Sequence, residues 1–276
     1  MASRKFKKCI LNMYKKFILY FDGHLFCILF NIRAYLKSLN VRFKYEQKNK
    51  KYAVIEDKKC MYFFHKKQSI YAYYYGLKNR SENLNTDYFL DQINFRNGDT
   101  IIDCGANVGD FSLYFNYKKI NIRYFGYEPS PSEYLCLKEN LYNHYTHNIA
   151  LWNKKSVLDF YVSSQNADSS LIEPHSYEKI IKVKTERLDN LFKNTKIRLL
   201  KLEAEGAEPE ILLGAKSILH EINYISADLG FERGKMQEST FEEVCNFLLK
   251  NNFVLIKISQ KRLTALFKNI NFEKHK

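Results

Sequence analysis

The chain has 276 residues, 46% of them hydrophobic, which fits one α/β domain with an N-terminal addition and excludes global disorder. Its net charge of +14 is uneven: residues 1 to 51 hold 13 Lys and Arg against Asp22 and Glu46, leaving only +3 for the other 225 residues. The basic excess therefore belongs to an appendage and makes no groove around the remainder, which argues against a nucleic-acid partner. Six scattered cysteines (Cys9, Cys27, Cys60, Cys104, Cys136, Cys245) contain no C-x-x-C pair. They predict neither a zinc cluster nor a disulfide framework, and a reducing cytoplasmic compartment.

Residues 1 to 50 read as basic amphipathic helices broken near Asp22-Gly23. The charge-free run between Asp22 and Arg33 is ten residues long, half of the roughly 20 that a membrane span needs. No small-residue cleavage site follows, so a signal peptide is not expected either. Two readings stay open for this segment: a structural cap, or peripheral contact with the anionic inner face of a membrane. Residues 52 to 75 read as strands, with a hairpin around Glu56-Asp57-Lys58-Lys59, and Tyr71, Tyr73, Tyr74 and Tyr75 predict aromatic packing. Residues 1 to 85 thus form a helical and β cap, and 86 to 276 a second domain.

In that second domain a short apolar run (Thr100, Ile101, Ile102) leads into Asp103-Cys104-Gly105-Ala106-Asn107-Val108-Gly109 and then Phe111 to Phe115. The order is strand, glycine turn, helix. In open α/β sheets ligands bind at the carboxyl ends of strands, where glycine lets the backbone come close. The turn is D-x-G-A-N-x-G and not the G-x-G-x-x-G of dinucleotide enzymes. A second strand, 121 to 127, ends at Glu128, where a carboxylate can accept from both ribose hydroxyls of an adenosine ligand. Ser130 and Glu133 have capping-box spacing, with Pro131 at the first helical position. A third strand approaches Asn148-Ile149-Ala150.

Two β-rich pieces, 156 to 162 and 181 to 185, read as an insertion at about 155–185. A fourth strand, 197 to 202, carries Lys201 into Glu203 and Glu205, and a helix from 208 buries Ile211, Leu212, Ala215, Ile218 and Leu219 on one face. Alternation on a strand would point Lys201, Glu203 and Glu205 the same way. Repulsion between the two carboxylates would then raise one of them toward a useful base, with Lys201 offsetting the effect. A fifth strand, 222 to 228, ends at Asp228 before a Gly230–Gly234 loop. A helix and two strands joined at Ser259-Gln260-Lys261 complete the chain. Carboxylates at Glu203, Glu205 and Asp228 could accept a divalent cation, although their spacing demands none. His175 is a loop histidine that could serve as a base.

DCGANVG at 103–109, YEPSPSEYLCLKENL at 127–141, NIALW at 148–152, DSSL at 168–171, TERLD at 185–189 and the 198–208 block occur in one consistent order. Together they resemble the FkbM-type methyltransferases over about residues 86 to 258. The resemblance implies a Rossmann-like, class I methyltransferase fold: a mostly parallel seven-stranded sheet ending in an antiparallel hairpin. It also implies S-adenosylmethionine as cofactor. Asp103, Gly105, Asn107 and Gly109 would hold its methionine part, Glu128 its ribose, and Asn148 to Ala150 its adenine. Lys201, Glu203 and Glu205 would be catalytic, while Ser169, Ser170 and Asp228 would bind the acceptor. The family usually has Asp where this chain has Glu203, which leaves an inactive scaffold as one alternative. The implied acceptor is a sugar hydroxyl of a bacterial surface glycan or its precursor, with a small secondary metabolite as the alternative. A nicotinamide-dependent sugar oxidoreductase would require the missing G-x-G-x-x-G and a Tyr-x-x-x-Lys pair placed for hydride chemistry, and no such pair sits in a convincing position.

Overall fold

The structure is a computed structural model that describes residues 17–18, 20–64, 67–163 and 169–272, without the side chains of 62–64 and 67–69. The expected helix across residues 1 to 16, and Asp168 of the insertion motif, lie outside the described residues. The chain divides into two compact units, Met1–Arg80 and Ser81–Lys276, against the boundary at 85 read from the sequence.

In the first unit, helix α1 (Gly23–Leu36) begins where the sequence breaks at Asp22-Gly23. It packs on an antiparallel sheet of β1 (Arg42–Glu46), β2 (Lys51–Glu56) and β3 (Lys59–Phe64). The β2–β3 hairpin turns at Asp57 and Lys58, both with positive φ (46° and 65°), as a two-residue hairpin loop requires. Phe30 meets Phe43, Tyr71 and Tyr74 edge-on, with ring centroids 5.0 to 5.9 Å apart. The tyrosine run therefore packs its own unit.

The second unit opens within α2 (Leu77–Tyr88) and is built on β4 (Thr100–Cys104), β5 (Arg123–Tyr127), β6 (Tyr145–His147), β10 (Ile197–Leu202), β11 (Ile222–Asp228), β14 (Phe253–Ile258) and β15 (Thr264–Asn269). These seven strands lie in the order β14-β15-β11-β10-β4-β5-β6. Only β15 runs against its neighbours. Every residue of β4 and β11 is buried. Their near-continuous apolar character is what a parallel strand covered on both faces requires. Period-two alternation assigns the two layers: Ile101 and Leu199 pack with Tyr88, Phe111 and Phe115, while Ile102 and Leu200 pack with Leu188, Ile211 and Leu248. The covering helices are α2, α3 (Ser112–Lys118) and α4 (Pro131–Asn140) on one side, and α5 (Leu188–Leu191), α6 (Glu208–Gly214) and α7 (Phe241–Lys250) on the other.

Four local readings change. The third strand of the sheet is β6, ending at His147; Ala150–Leu151 is β7, which pairs with β9 (Lys179–Glu186) in a separate sheet with β8 (Ser156–Val162). Helix α6 stops at Gly214, where a Cβ would stand 2.1 Å from the Trp152 carbonyl oxygen, and the chain tightens into a 3-10 turn over Lys216–Glu221. Ser130 makes no side-chain cap to its helix; its hydroxyl bonds the Glu133 carboxylate, and its N–H goes to Glu128 Oε1 at 2.8 Å. A ribbon of β12 (Phe231–Arg233) and β13 (Glu238–Ser239) forms where only a loop was expected. No helix among the described residues is long and apolar enough to cross a membrane.

Candidate active site

From β4 the chain turns to β5 on one side and is flanked by β10 on the other, so the carboxyl ends of β4 and β10 form the switch point of the sheet. The turn after β4 is tight because it faces another backbone. Gly105 has φ +72°, and a Cβ there would lie 1.8 Å from the Glu203 carbonyl oxygen. Gly109 (φ +85°) sits against Leu137 and Leu141 of the α4 region at 2.9 and 2.7 Å from its ideal Cβ. Both glycines are thus required by packing as well as by conformation.

Glu128 follows β5 and is 7% exposed. Its two oxygens each accept one backbone N–H, from Asn107 (to Oε2) and Ser130 (to Oε1), both at 2.8 Å. Burial, and beside it the Glu133 carboxylate, pushes Glu128 above the usual carboxylate range, against the two N–H donors. Each oxygen retains lone-pair capacity for a further donor. This arrangement joins Asn107, Gly105 and Gly109 to Glu128 in one cradle.

Several expected contacts are spent internally. Asp103 is fully buried, its carboxylate taken by the Tyr124 hydroxyl and, at 3.0 Å, by the Lys201 ammonium. It braces the strands and exposes no surface for direct contact with a ligand. Asn148 gives its side-chain N–H₂ to the carbonyls of Glu128 and Pro129 at 2.9 and 3.0 Å, locking the turn after β5. Ala150 is buried with Phe160, Val162 and Val183 in the small sheet.

The strand-four motif is also corrected. Strand β10 ends at Leu202, and Glu205 takes a left-handed conformation (φ +52°), so Glu203 and Glu205 do not share a strand face. Glu203 lies 2.9 Å from Lys201 and 3.1 Å from Arg262. Burial alone would raise its carboxyl, but Lys201 and Arg262 draw it down to about 2. It is a permanent anion and a poor base. Lys201 is 4% exposed, sits between Asp103 and Glu203, and donates to the Gly105 carbonyl at 2.9 Å. Burial would lower its ammonium, yet the two carboxylates raise it. Lys201 is therefore a charged strut.

The loop 203–206 is pinned from three sides. Buried Glu208 accepts from the N–H groups of Ala204 (2.9 Å) and Gly206 (3.3 Å) and from the Thr240 hydroxyl (3.1 Å). Ser170 donates to the Glu205 carbonyl at 2.8 Å, and Arg233 donates to the Gly206 carbonyl while pairing with Glu210. Ser170, 2% exposed, thus positions the loop, and Ser169 accepts from the Ser163 N–H at 3.0 Å. These contacts give both serines bracing roles. Asp228 is likewise buried and bound to Arg262 at 2.6 Å. Burial raises its carboxyl and Arg262 opposes this. With Arg262 between Glu203 and Asp228, no metal cage forms there. Among the described residues no group of three or more His, Cys, Asp or Glu side chains is placed to hold a metal ion.

Glu232, like Arg262, is a residue beside the strand-four motif that sequence reasoning missed. It is half-buried and hydrogen-bonds Glu205. Burial, with the charges of Asp228, Glu203 and Glu208, raises it to about 7, against the Glu205 hydrogen bond. Two carboxyl groups can share a hydrogen bond only when one carries a proton. The only sequence signal was its place in the loop after the fifth strand.

A sheet of this order with a glycine turn after β4 and an acidic residue after β5 defines a Rossmann-like methyltransferase. A family model, described as the methyltransferase FkbM domain, matches residues 103–255. The chain belongs to this family. Among solved structures, an FkbM methyltransferase from Methylobacillus flagellatus KT is similar, with 16% identity, 74% of this chain and 56% of that chain covered, and a TM-score of 0.49. The chain thus spans little more than half of that relative. TrmK of M. capricolum, solved with S-adenosylhomocysteine, aligns at 9% identity over 68% of each chain, with a TM-score of 0.40. A putative rRNA methylase from Clostridium thermocellum aligns at 12% identity over 67% of this chain and 96% of that one, with a TM-score of 0.41. No curated protein matches the chain.

Proposed function

We propose that the protein is an S-adenosylmethionine-dependent O-methyltransferase whose acceptor is a saccharide hydroxyl. The observation that carries the cofactor is the Glu128 carboxylate, fixed by Asn107 and Ser130 beside the glycine turn with lone pairs to spare for two vicinal hydroxyls. Gly105 and Gly109 would let the methionine part approach the backbone. Bound there, S-adenosylmethionine supplies an electrophilic methyl group on a sulfonium.

The chain's own residues do the rest. Glu232, poised near neutrality beside Glu205, would take the proton from the acceptor hydroxyl, while the bound cofactor would supply the methyl group and keep the leaving electron pair on its sulfur. Lys201 and Arg262 hold Glu203 and Asp228 in place, so these carboxylates shape the site. Alignment and water exclusion supply most of the remaining rate.

A saccharide is favoured over a flat aromatic acceptor because the resemblance to the FkbM family implies a sugar hydroxyl. S-adenosylhomocysteine formation would be followed with full-length protein and panels of nucleotide sugars, free glycans and non-sugar hydroxyl metabolites. The expected result is turnover only with sugars. Turnover only with non-sugar metabolites would redirect the acceptor class, and acceptor-independent release alone would contradict transfer.

A further inference from the structure

Helix α1 has two apolar sides. One packs inward: Phe26, Cys27, Phe30 and Ala34 are buried, and Arg33, also buried, donates to the Tyr74 carbonyl at 2.7 Å. The other is uncovered: Leu25, Ile28, Ile32, Tyr35 and Leu36 are 47%, 52%, 49%, 83% and 75% exposed. At 3.6 residues per turn these five fall within an arc of about 100°, opposite the buried side. The helix contains no acidic residue, and Arg33 is its only Lys or Arg.

Charge decides what covers this arc. Residues 1 to 51 carry 13 Lys and Arg against two acidic residues, and Lys37, Arg42, Lys44, Lys48 and Lys50 are exposed. A second copy docking by two-fold symmetry would set one strongly cationic segment against another. A nucleic acid would want cations and stacking groups on the contacting face, where this helix offers four aliphatic side chains and one tyrosine without a cation. An anionic bilayer satisfies both features: acyl chains for the arc and headgroups for the surrounding charge.

We propose that α1 lies in the interface of an anionic membrane, with the arc from Leu25 to Leu36 sunk to the acyl boundary and Lys37 at headgroup level. This interaction surface does not depend on the methyl-transfer reading. Its test is flotation of the full-length protein with vesicles of phosphatidylglycerol and phosphatidylcholine, against vesicles of phosphatidylcholine alone. Wild type is expected to float with the anionic vesicles, less so at high salt. Ile28→Glu/Ile32→Glu, and separately Tyr35→Ser/Leu36→Ser, should reduce partitioning at least about tenfold while melting as wild type does. Melting of both variants identifies any loss that is due to unfolding. The proposal is overturned by wild type that does not float, by folded variants that bind as wild type, or by a wild-type dimer that both variants split. Retention by RNA in place of vesicles, lost in the same variants, also overturns it.

Discussion

Glu232→Gln should lower kcat/KM for methyl transfer by about 10² to 10⁴, the usual worth of a positioned general base. Glutamine keeps the size of the side chain and its hydrogen bond to Glu205 but cannot accept a proton. The wild-type pH profile should rise through about 7, because burial and the charges of Asp228, Glu203 and Glu208 hold the Glu232 carboxyl up to that value. The working form is the deprotonated one, so activity is gained as pH climbs past it. In the variant that limb disappears while affinity for S-adenosylmethionine stays within about twofold. A variant retaining wild-type kcat/KM and the same limb would remove Glu232 from the chemistry. The same raised carboxyl has the opposite sign for stability: its contribution is present at low pH and is lost as pH passes about 7.

Lys201→Met should destabilise the protein by about 3–5 kcal/mol, the cost of leaving a buried charge without its partner. Lys201 is the ammonium between Asp103, which has no exposed surface, and Glu203. Methionine matches its length but leaves Asp103 with only the Tyr124 hydroxyl. For a domain of this size a loss of about 3–5 kcal/mol corresponds to a melting temperature lower by about 6–20 °C. Asp103→Asn combined with Lys201→Met should recover part of it, since the orphaned charge is then gone. A melting temperature unchanged in the single variant would show that the strut is not needed. Acid should act in the same direction. The Glu203 carboxyl is held down to about 2, so its stabilisation is present above the unfolded carboxylate range and is lost as pH falls toward 2.

The legibility of this site followed sequence distance. The turn at 103–109 and Glu128 could be read because strand, glycine turn and acidic strand end are each contiguous, and the topology brings them together through a parallel pairing of β4 with β5. Lys201 and Glu203 could be named for the same reason, but not their roles. Arg262, which holds Glu203 and Asp228, comes from the final hairpin, 59 residues beyond Glu203. Ser170 reaches the Glu205 carbonyl across 35 residues, out of the small sheet. No local pattern announces such contacts. The third strand was misplaced because β6 and β7 have three and two residues, too few to show a period. The clamp role of Asn148, whose side-chain amide donates to two strand-end carbonyls, likewise has no signal in the sequence.

Calorimetric titration of the full-length protein with S-adenosylmethionine tests the central claim most directly. The account predicts one site per chain with micromolar affinity, weakened at least about tenfold in Glu128→Ala, since two hydrogen bonds to the ribose would be lost. A well-folded protein that takes up no S-adenosylmethionine, or one that binds it equally with Glu128 replaced, would contradict it.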